Sequence, residues 1–196
     1  MASIFAEILK KVAKAGLAAA SKASREWFRN TALRVTGVTG ARLFADQKNL
    51  QKNIRAEDIG SMFMYYYDPK LKDVLPYYDK LPLVIIVDMT SDGFYGLNMH
   101  YLPPVLRAKL MDALWELRNN DKYDESTRLK ISYQILKGVA KYKYYAPCFK
   151  RYLYTHVRSS FLYINPSDWD KALMLPTERF EKATKEQVFD DSRRRF

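Results

Sequence analysis

From Ser126 to Pro166 the chain contains no Asp and no Glu. The same stretch holds Arg128, Lys130, Lys137, Lys141, Lys143, Lys150, Arg151 and Arg158. Between them lie Tyr133, Tyr142, Tyr144, Tyr145, Phe149, Tyr152, Tyr154, Phe161 and Tyr163. Cationic side chains neutralise phosphates, and aromatic faces stack on bases without regard to sequence. The residues expected to touch nucleic acid or another partner are Lys137, Lys141, Lys143, Tyr144, Tyr145, Lys150, Arg151, Tyr152 and Arg158. Tyrosine is also the favoured contact residue of protein interfaces. A third reading places the tyrosines in the core and leaves the cations as a solvated face. Composition alone does not choose among the three.

Other chemistry finds little support. The segment Gly37-Val38-Thr39-Gly40 lacks the preceding strand and the following lysine of a phosphate-cradling loop. Nucleophile elbows, HExxH helices and Cys/His dyads are missing from the sequence. Asp88, Asp92 and Asp112 are carboxylates of the kind a metal nuclease uses. Asp88 and Asp92, however, flank a turn, where Asp bonds its own backbone. Asp168, Asp170 and Lys171 loosely resemble nuclease spacing, but Trp169 between them argues for packing. Cys148 is the single cysteine, so no disulfide forms within the chain and no Cys/His metal cluster assembles. Its simplest role is a small buried apolar residue. His100 and His156 read as packed or strand-edge residues. The expectation is a protein without catalytic residues, metal or cofactor.

Behind these residues stands a hairpin. Leu83-Val84-Ile85-Ile86-Val87 is a short apolar run rich in β-branched residues, the pattern of a strand covered on both sides. Ser91-Asp92-Gly93 is a turn signal, with Gly93 free to take positive φ. Tyr95, Leu97, Met99 and Tyr101 then alternate with Gly96, Asn98 and His100, the period of a half-buried strand. Pro103-Pro104 ends it. Met62 to Tyr67 reads as a further strand, stopped by Asp68-Pro69. The aromatics of Pro76-Tyr77-Tyr78-Asp79 read as a loop lid.

Helices are expected around this sheet. Residues 2–34 carry Ile4, Ile8, Val12, Ala15 and Ala19 at helical spacing, with Lys10, Lys14, Lys22, Arg25 and Arg29 on the other side and Trp27 and Phe28 as anchors. Residues 41–60 read as a linker with a short helix. Pro104 opens another helix at its preferred position, with Val105, Leu106 and Leu110 inward and Arg107 and Lys109 outward. Ser126-Thr127 opens one more, through Ile131, Ile135, Leu136 and Val139. After Pro176 the chain turns polar, and Thr177 with Glu178 suits a helix cap. The fold class expected is therefore α+β: a small antiparallel sheet built on a central hairpin and packed by helices, with an extended helical N-terminal arm and a polar C-terminal tail. The expected divisions are an arm and linker over 1–60, a core over 61–176 and a tail over 177–196.

With 196 residues, 48% of them hydrophobic, the chain suffices for one domain with extensions. A formal net charge of +11 favours a polyanionic partner, either nucleic acid or an acidic protein surface. Glu7, Lys10, Lys11 and Lys14 interrupt the apolar N-terminal stretch, so no export signal is read, and no stretch is apolar for long enough to span a bilayer.

Three longer motifs carry a family resemblance. They are Pro76-Tyr77-Tyr78-Asp79-Lys80-Leu81-Pro82-Leu83-Val84, Gly93-Phe94-Tyr95-Gly96-Leu97-Asn98-Met99-His100-Tyr101-Leu102-Pro103-Pro104 and Leu175-Pro176-Thr177-Glu178-Arg179-Phe180. Cys148-Phe149-Lys150-Arg151-Tyr152 and Phe189-Asp190-Asp191-Ser192 add to them. From about Trp27 to Ser192 the chain resembles a family of virion proteins of contractile-tailed bacteriophages, whose members are often labelled DNA end protectors of T4-like phages. The resemblance implies a non-enzymatic virion component, assembled in the bacterial host cytoplasm and bound to the end of the packaged genome at the head or neck. The alternative is a tail or baseplate subunit that clasps its neighbours through terminal arms without touching DNA. Expected partners are other virion proteins of the neck, tail or baseplate, a double-stranded DNA end, and further copies in a symmetric assembly. A membrane is not expected.

Overall fold

The computed structural model describes residues 40–45, 47–108, 110 and 143–194. The expected helices over 2–34 and after Ser126 lie outside the described residues. At the centre is β4 (Leu83–Thr90), formed by the apolar run. Its residues alternate between two cores. Leu83, Ile85 and Val87 join one cluster, and Val84 and Ile86 join the other. Each such side chain removed from water contributes about 1.5–3 kcal/mol. Two-sided burial is thus why the run lacks polar residues.

Around it stand β1 (Leu50–Gln51), β2 (Met62–Met64), β5 (Gly93–Asn98), β6 (Phe149–Leu153) and β7 (Phe161–Ile164). They form one antiparallel sheet in the order β1-β7-β2-β4-β5-β6. The sheet is larger than the hairpin and one added strand expected. Its extra strands β6 and β7 come from the acid-free stretch. β1 shows that residues of the expected linker belong to the sheet. The α+β class and the antiparallel pairing are as expected.

One face of the sheet packs on the helices Trp169–Met174 and Lys185–Arg194, and on Leu110 of the helix that opens at Pro104. The other face is a cluster of rings. Tyr65 sits 5.5 Å from Tyr152, 5.7 Å from Phe94 and 5.0 Å from Phe161, mostly edge to face or tilted. Such pairs add about 0.5–1.5 kcal/mol each beyond area burial.

The hairpin departs from expectation at both ends of β5. Gly93 is not in the left-handed region; among the described glycines Gly60 is, with φ 87°. Gly93 is required for a different reason. A Cβ there would lie 1.9 Å from the Tyr152 carbonyl oxygen on β6. Gly93→Ala must therefore push β6 away from β5. The expected result is a loss of about 3 kcal/mol, read as a fall in denaturant midpoint at unchanged slope. An unchanged midpoint would show that the two strands are not this close. At the other end the strand stops at Asn98, before Met99 and Tyr101. Asn98 Oδ1 accepts from the His100 N–H at 3.0 Å and turns Met99–Tyr101 into a 3-10 helix.

The C-terminal segment is not a free tail. β3 (Tyr78–Asp79) pairs with β8 (Phe180–Glu181), and Val188 and Ser192 are buried. Thr177 is buried and caps nothing. Thr184 and Gln187 cap the last helix instead, with Gln187 Oε1 accepting from the Thr184 N–H at 2.8 Å and Thr184 Oγ1 from the Gln187 N–H at 3.3 Å.

Candidate nucleic-acid interface

β6 is an edge strand, and its register sets Arg151 opposite Tyr95 and Lys150 opposite Gly96. Neighbouring residues of a strand point to opposite faces. Phe149 stacks on Tyr95 at 5.4 Å with their planes 2° apart. Lys150 points the other way, its Nζ 4.3 Å from the centre of the Tyr101 ring. Against this edge lies the segment 68–78. It is pinned by the Tyr67–Val157 bridge, by the Asp68 N–H on the His156 carbonyl at 3.0 Å, and by β3 on β8. Between segment and edge is a groove of about 460 Å³. Lys70, Leu71, Tyr77 and Tyr78 line one wall, and Lys150 to Leu153 the other. Tyr101, Asn98 and Asp79 form its floor.

Beneath the groove is a buried polar network that holds the walls in place. Asp79 is at its centre and its two oxygens accept four hydrogen bonds. Oδ1 takes the Leu81 N–H at 3.1 Å and the Arg179 N–H at 3.3 Å. Oδ2 takes the Asn98 amide at 3.2 Å and His100 Nδ1 at 2.7 Å. Burial pushes the Asp79 carboxyl up, but the His100 charge and these bonds outweigh it and hold the group below its usual range. On the far side, His100 Nε2 is 2.9 Å from Thr177 Oγ1. Asp79, His100 and Thr177 thus share the atom order of a catalytic triad. His100 and Thr177 are 0% exposed, so no substrate reaches the hydroxyl. The arrangement is a clasp between sheet and C-terminal segment.

Arg107 belongs to the same interior. Expected to face outward, it is 1% exposed, and each of its three nitrogens donates, to Leu102, Leu173, His100 and Glu178. Burial raises the Glu178 carboxyl, but the Arg107 charge more than offsets it and holds the group below its usual range.

The residues expected to form the interface are dispersed. Lys150 and Arg151 line the groove. Arg151 Nη2 also donates to both Asp92 oxygens, at 2.8 and 2.7 Å, and these bonds hold the Asp92 carboxyl below its ordinary range. Tyr152 is 4% exposed and packs its ring on Phe94, Tyr65 and Tyr67, so its ring is a core element rather than a stacking platform. Arg158 is exposed; its Nη1 donates to the Thr155 carbonyl and its Nη2 lies 3.6 Å from Asp68. Lys143, Tyr144 and Tyr145 lie in the 3-10 helix Lys143–Cys148 before β6. Lys137 and Lys141 fall outside the described residues. The groove also takes in Lys70 and Tyr101, which are not among the expected contacts, and Tyr77 and Tyr78, expected as part of a loop lid. Tyrosine runs on both sides of the hairpin were the available signal, but nothing local joins them to β6.

Asp88 bonds locally, its Oδ1 accepting from the Met89 N–H at 2.9 Å. Lys171 is buried and paired with Asp168, and Trp169 Nε1 donates to the Ile164 carbonyl at 2.9 Å, so this segment is packed as expected. Cys148 is buried, which pushes its thiol up to about 12 and leaves it unreactive. Among the described residues no group of three or more His, Cys, Asp or Glu is placed to hold a metal ion, and no helix is long and apolar enough to cross a membrane.

No curated protein and no solved structure matches the chain. A family model does match, over residues 1–192, and so extends the resemblance read from motifs towards the N-terminus. The chain belongs to the family described as the phage T4 terminal DNA protecting protein.

Proposed function

We propose that this protein binds the end of double-stranded phage DNA, without carrying out a reaction on it, as a component of the virion. The reading is supported by one juxtaposition. In a member of a family named for protecting terminal DNA, an edge strand from the acid-free stretch lines a groove with tyrosine walls and the cations Lys70, Lys150 and Arg151. Cations there contact phosphates and carry no sequence information. Arg151 reaches a phosphate by exchanging Asp92 for it, and the exposed Lys70 supplies the first attraction.

The test is fluorescence anisotropy with a blunt duplex across a salt series. Log affinity falls linearly with log salt, with a slope of about −0.9 per phosphate neutralised. Lys150→Ala weakens binding and reduces that slope by about 1, with any duplex sequence. A weak signal that ignores salt overturns the proposal and leaves the alternative, a virion subunit that clasps protein neighbours through its terminal arms.

A further inference from the structure

We propose that the groove takes a single unpaired nucleotide peeled from the DNA terminus, while the turn at 70–74 presses an apolar wedge on the last base pair. This rests on the DNA-end reading above and names what that site holds. Size argues first. A B-form duplex, whose major groove alone is about 12 Å wide, does not enter a cleft of about 460 Å³, whereas a nucleotide falls within the range of such pockets. The walls suit it, with half-buried Tyr77 and Tyr78 beside Lys70 and Lys150: rings for a base and cations for its phosphate.

The turn supplies the second observation. Leu71 is 59% and Val74 76% exposed, two aliphatic side chains held in water next to the groove. The turn that carries them is braced. Lys72 pairs with Asp68 at 3.1 Å, the Leu75 N–H reaches the Leu71 carbonyl at 3.0 Å, and Lys182 Nζ donates to the carbonyls of Lys72, Asp73 and Leu75. A rigid apolar tip beside cations matches the chemistry of a duplex end, which offers a dry base-pair face ringed by phosphates. Side chains of this kind serve as wedges that unstack bases.

The floor adds a specificity statement. Both Asp79 oxygens are filled, and the Asn98 side chain is engaged at both ends by Asp79 and the His100 N–H. These two groups are therefore committed to the protein and do not read a base edge. The site accepts any of the four bases.

The experiment compares full-length protein on four versions of one labelled duplex: blunt, with a three-nucleotide single-stranded overhang, with 2-aminopurine at the blunt terminus, and with both ends closed by hairpin loops. The overhang binds about tenfold tighter than the blunt end, as expected for one stacked base. The terminal 2-aminopurine changes fluorescence on binding, and the closed duplex binds weakest. Changing the overhang bases leaves affinity within about twofold. Lys150→Ala removes the overhang advantage, whereas Leu71→Ser, at an exposed site that leaves the fold intact, takes away the wedge and weakens the blunt end more than the overhang. Equal affinity for blunt and overhang ends, with weak binding of the closed duplex, overturns the nucleotide site and spares the DNA-end reading. Equal affinity for closed and open duplexes overturns both. An overhang advantage that survives Lys150→Ala places the site elsewhere and overturns this proposal, and a Leu71→Ser variant that binds both ends as wild type does overturns the wedge.

Discussion

Arg107→Ala lowers the melting temperature by about 10 °C or more, although Arg107 lies outside the groove. The guanidinium is interior, and each of its nitrogens has work there. Nε donates to the Leu102 carbonyl at 2.7 Å and Nη1 to the Leu173 carbonyl at 3.0 Å. Nη2 donates to the His100 carbonyl at 3.2 Å and to Glu178 Oε1 at 2.6 Å. These acceptors come from the 3-10 helix after β5, the helix Trp169–Met174 and the C-terminal segment. One side chain therefore ties three separate pieces of chain. Truncation leaves three carbonyls without this donor and Glu178 as a buried charge without its hydrogen-bonded partner, a loss of about 3–5 kcal/mol. Arg107→Lys recovers only part of it, because an ammonium does not reproduce the planar fork. Thermal unfolding followed by circular dichroism measures both variants. A shift of the size seen at surface sites, below about 0.5 kcal/mol, would show that the network does not carry this load.

Arg107 also shows what the sequence does not disclose. Beside Val105, Leu106 and Leu110 its position reads as outward, and periodicity assigns an arginine to solvent by default. Its acceptors lie as far as 71 residues away in the chain, so no local pattern announces them. The same holds for Asp79 and His100, which are 21 residues apart, and for Thr177 beyond them. What could be read was local. Leu83–Val87 declares a strand by its β-branched run, and Pro104 declares a helix start. The acid-free stretch is unusual in composition, but composition leaves open whether its tyrosines are contact residues or core. Its alternation supplies two strands instead, and Tyr152 and Phe161 face the ring cluster while Arg151 faces water. Tyrosine serves core and contact equally well, so composition gives the inventory of such a stretch without saying which ring goes where.

The Asp79 network and the groove form one mechanical unit. Asp79 holds β3 to β8 and, through His100, holds both to the sheet. β3 ends the segment 68–78 that makes the groove's far wall. A wall on a mobile segment would have to be ordered on each binding event, and that entropy would come out of affinity. Fixed by buried hydrogen bonds, it meets a ligand already in position. A polar network costs stability relative to an apolar core unless every member is satisfied. Here the carboxylate has four donors, and the guanidinium has an acceptor for each nitrogen.

Asp79→Asn should accordingly destabilise the protein by about 3–5 kcal/mol at neutral pH. An amide keeps the shape but turns one oxygen into a donor. Facing Leu81 and Arg179 it sets donor against two backbone N–H groups, and facing Asn98 and His100 it sets donor against the Asn98 amide and demands the other His100 tautomer. The pH dependence separates this from a general loss of packing. Because the folded state holds the Asp79 carboxyl below its ordinary range, it binds this proton less readily than the unfolded chain does. The contribution is therefore fully present above the unfolded value, about 3.9 for Asp, and drains away as pH falls through the lower folded value. In an acid titration the wild-type protein loses this increment below about pH 4. Asp79→Asn starts lower and lacks that part of the acid slope, so the two stability curves converge in acid. Curves that stay parallel from neutral pH into acid would mean that Asp79 is not ionised in the folded protein. The variant also loosens β3 on β8. It should weaken DNA binding at temperatures well below its own melting point, while Arg107→Ala, which touches neither strand, should leave binding near wild type under the same conditions.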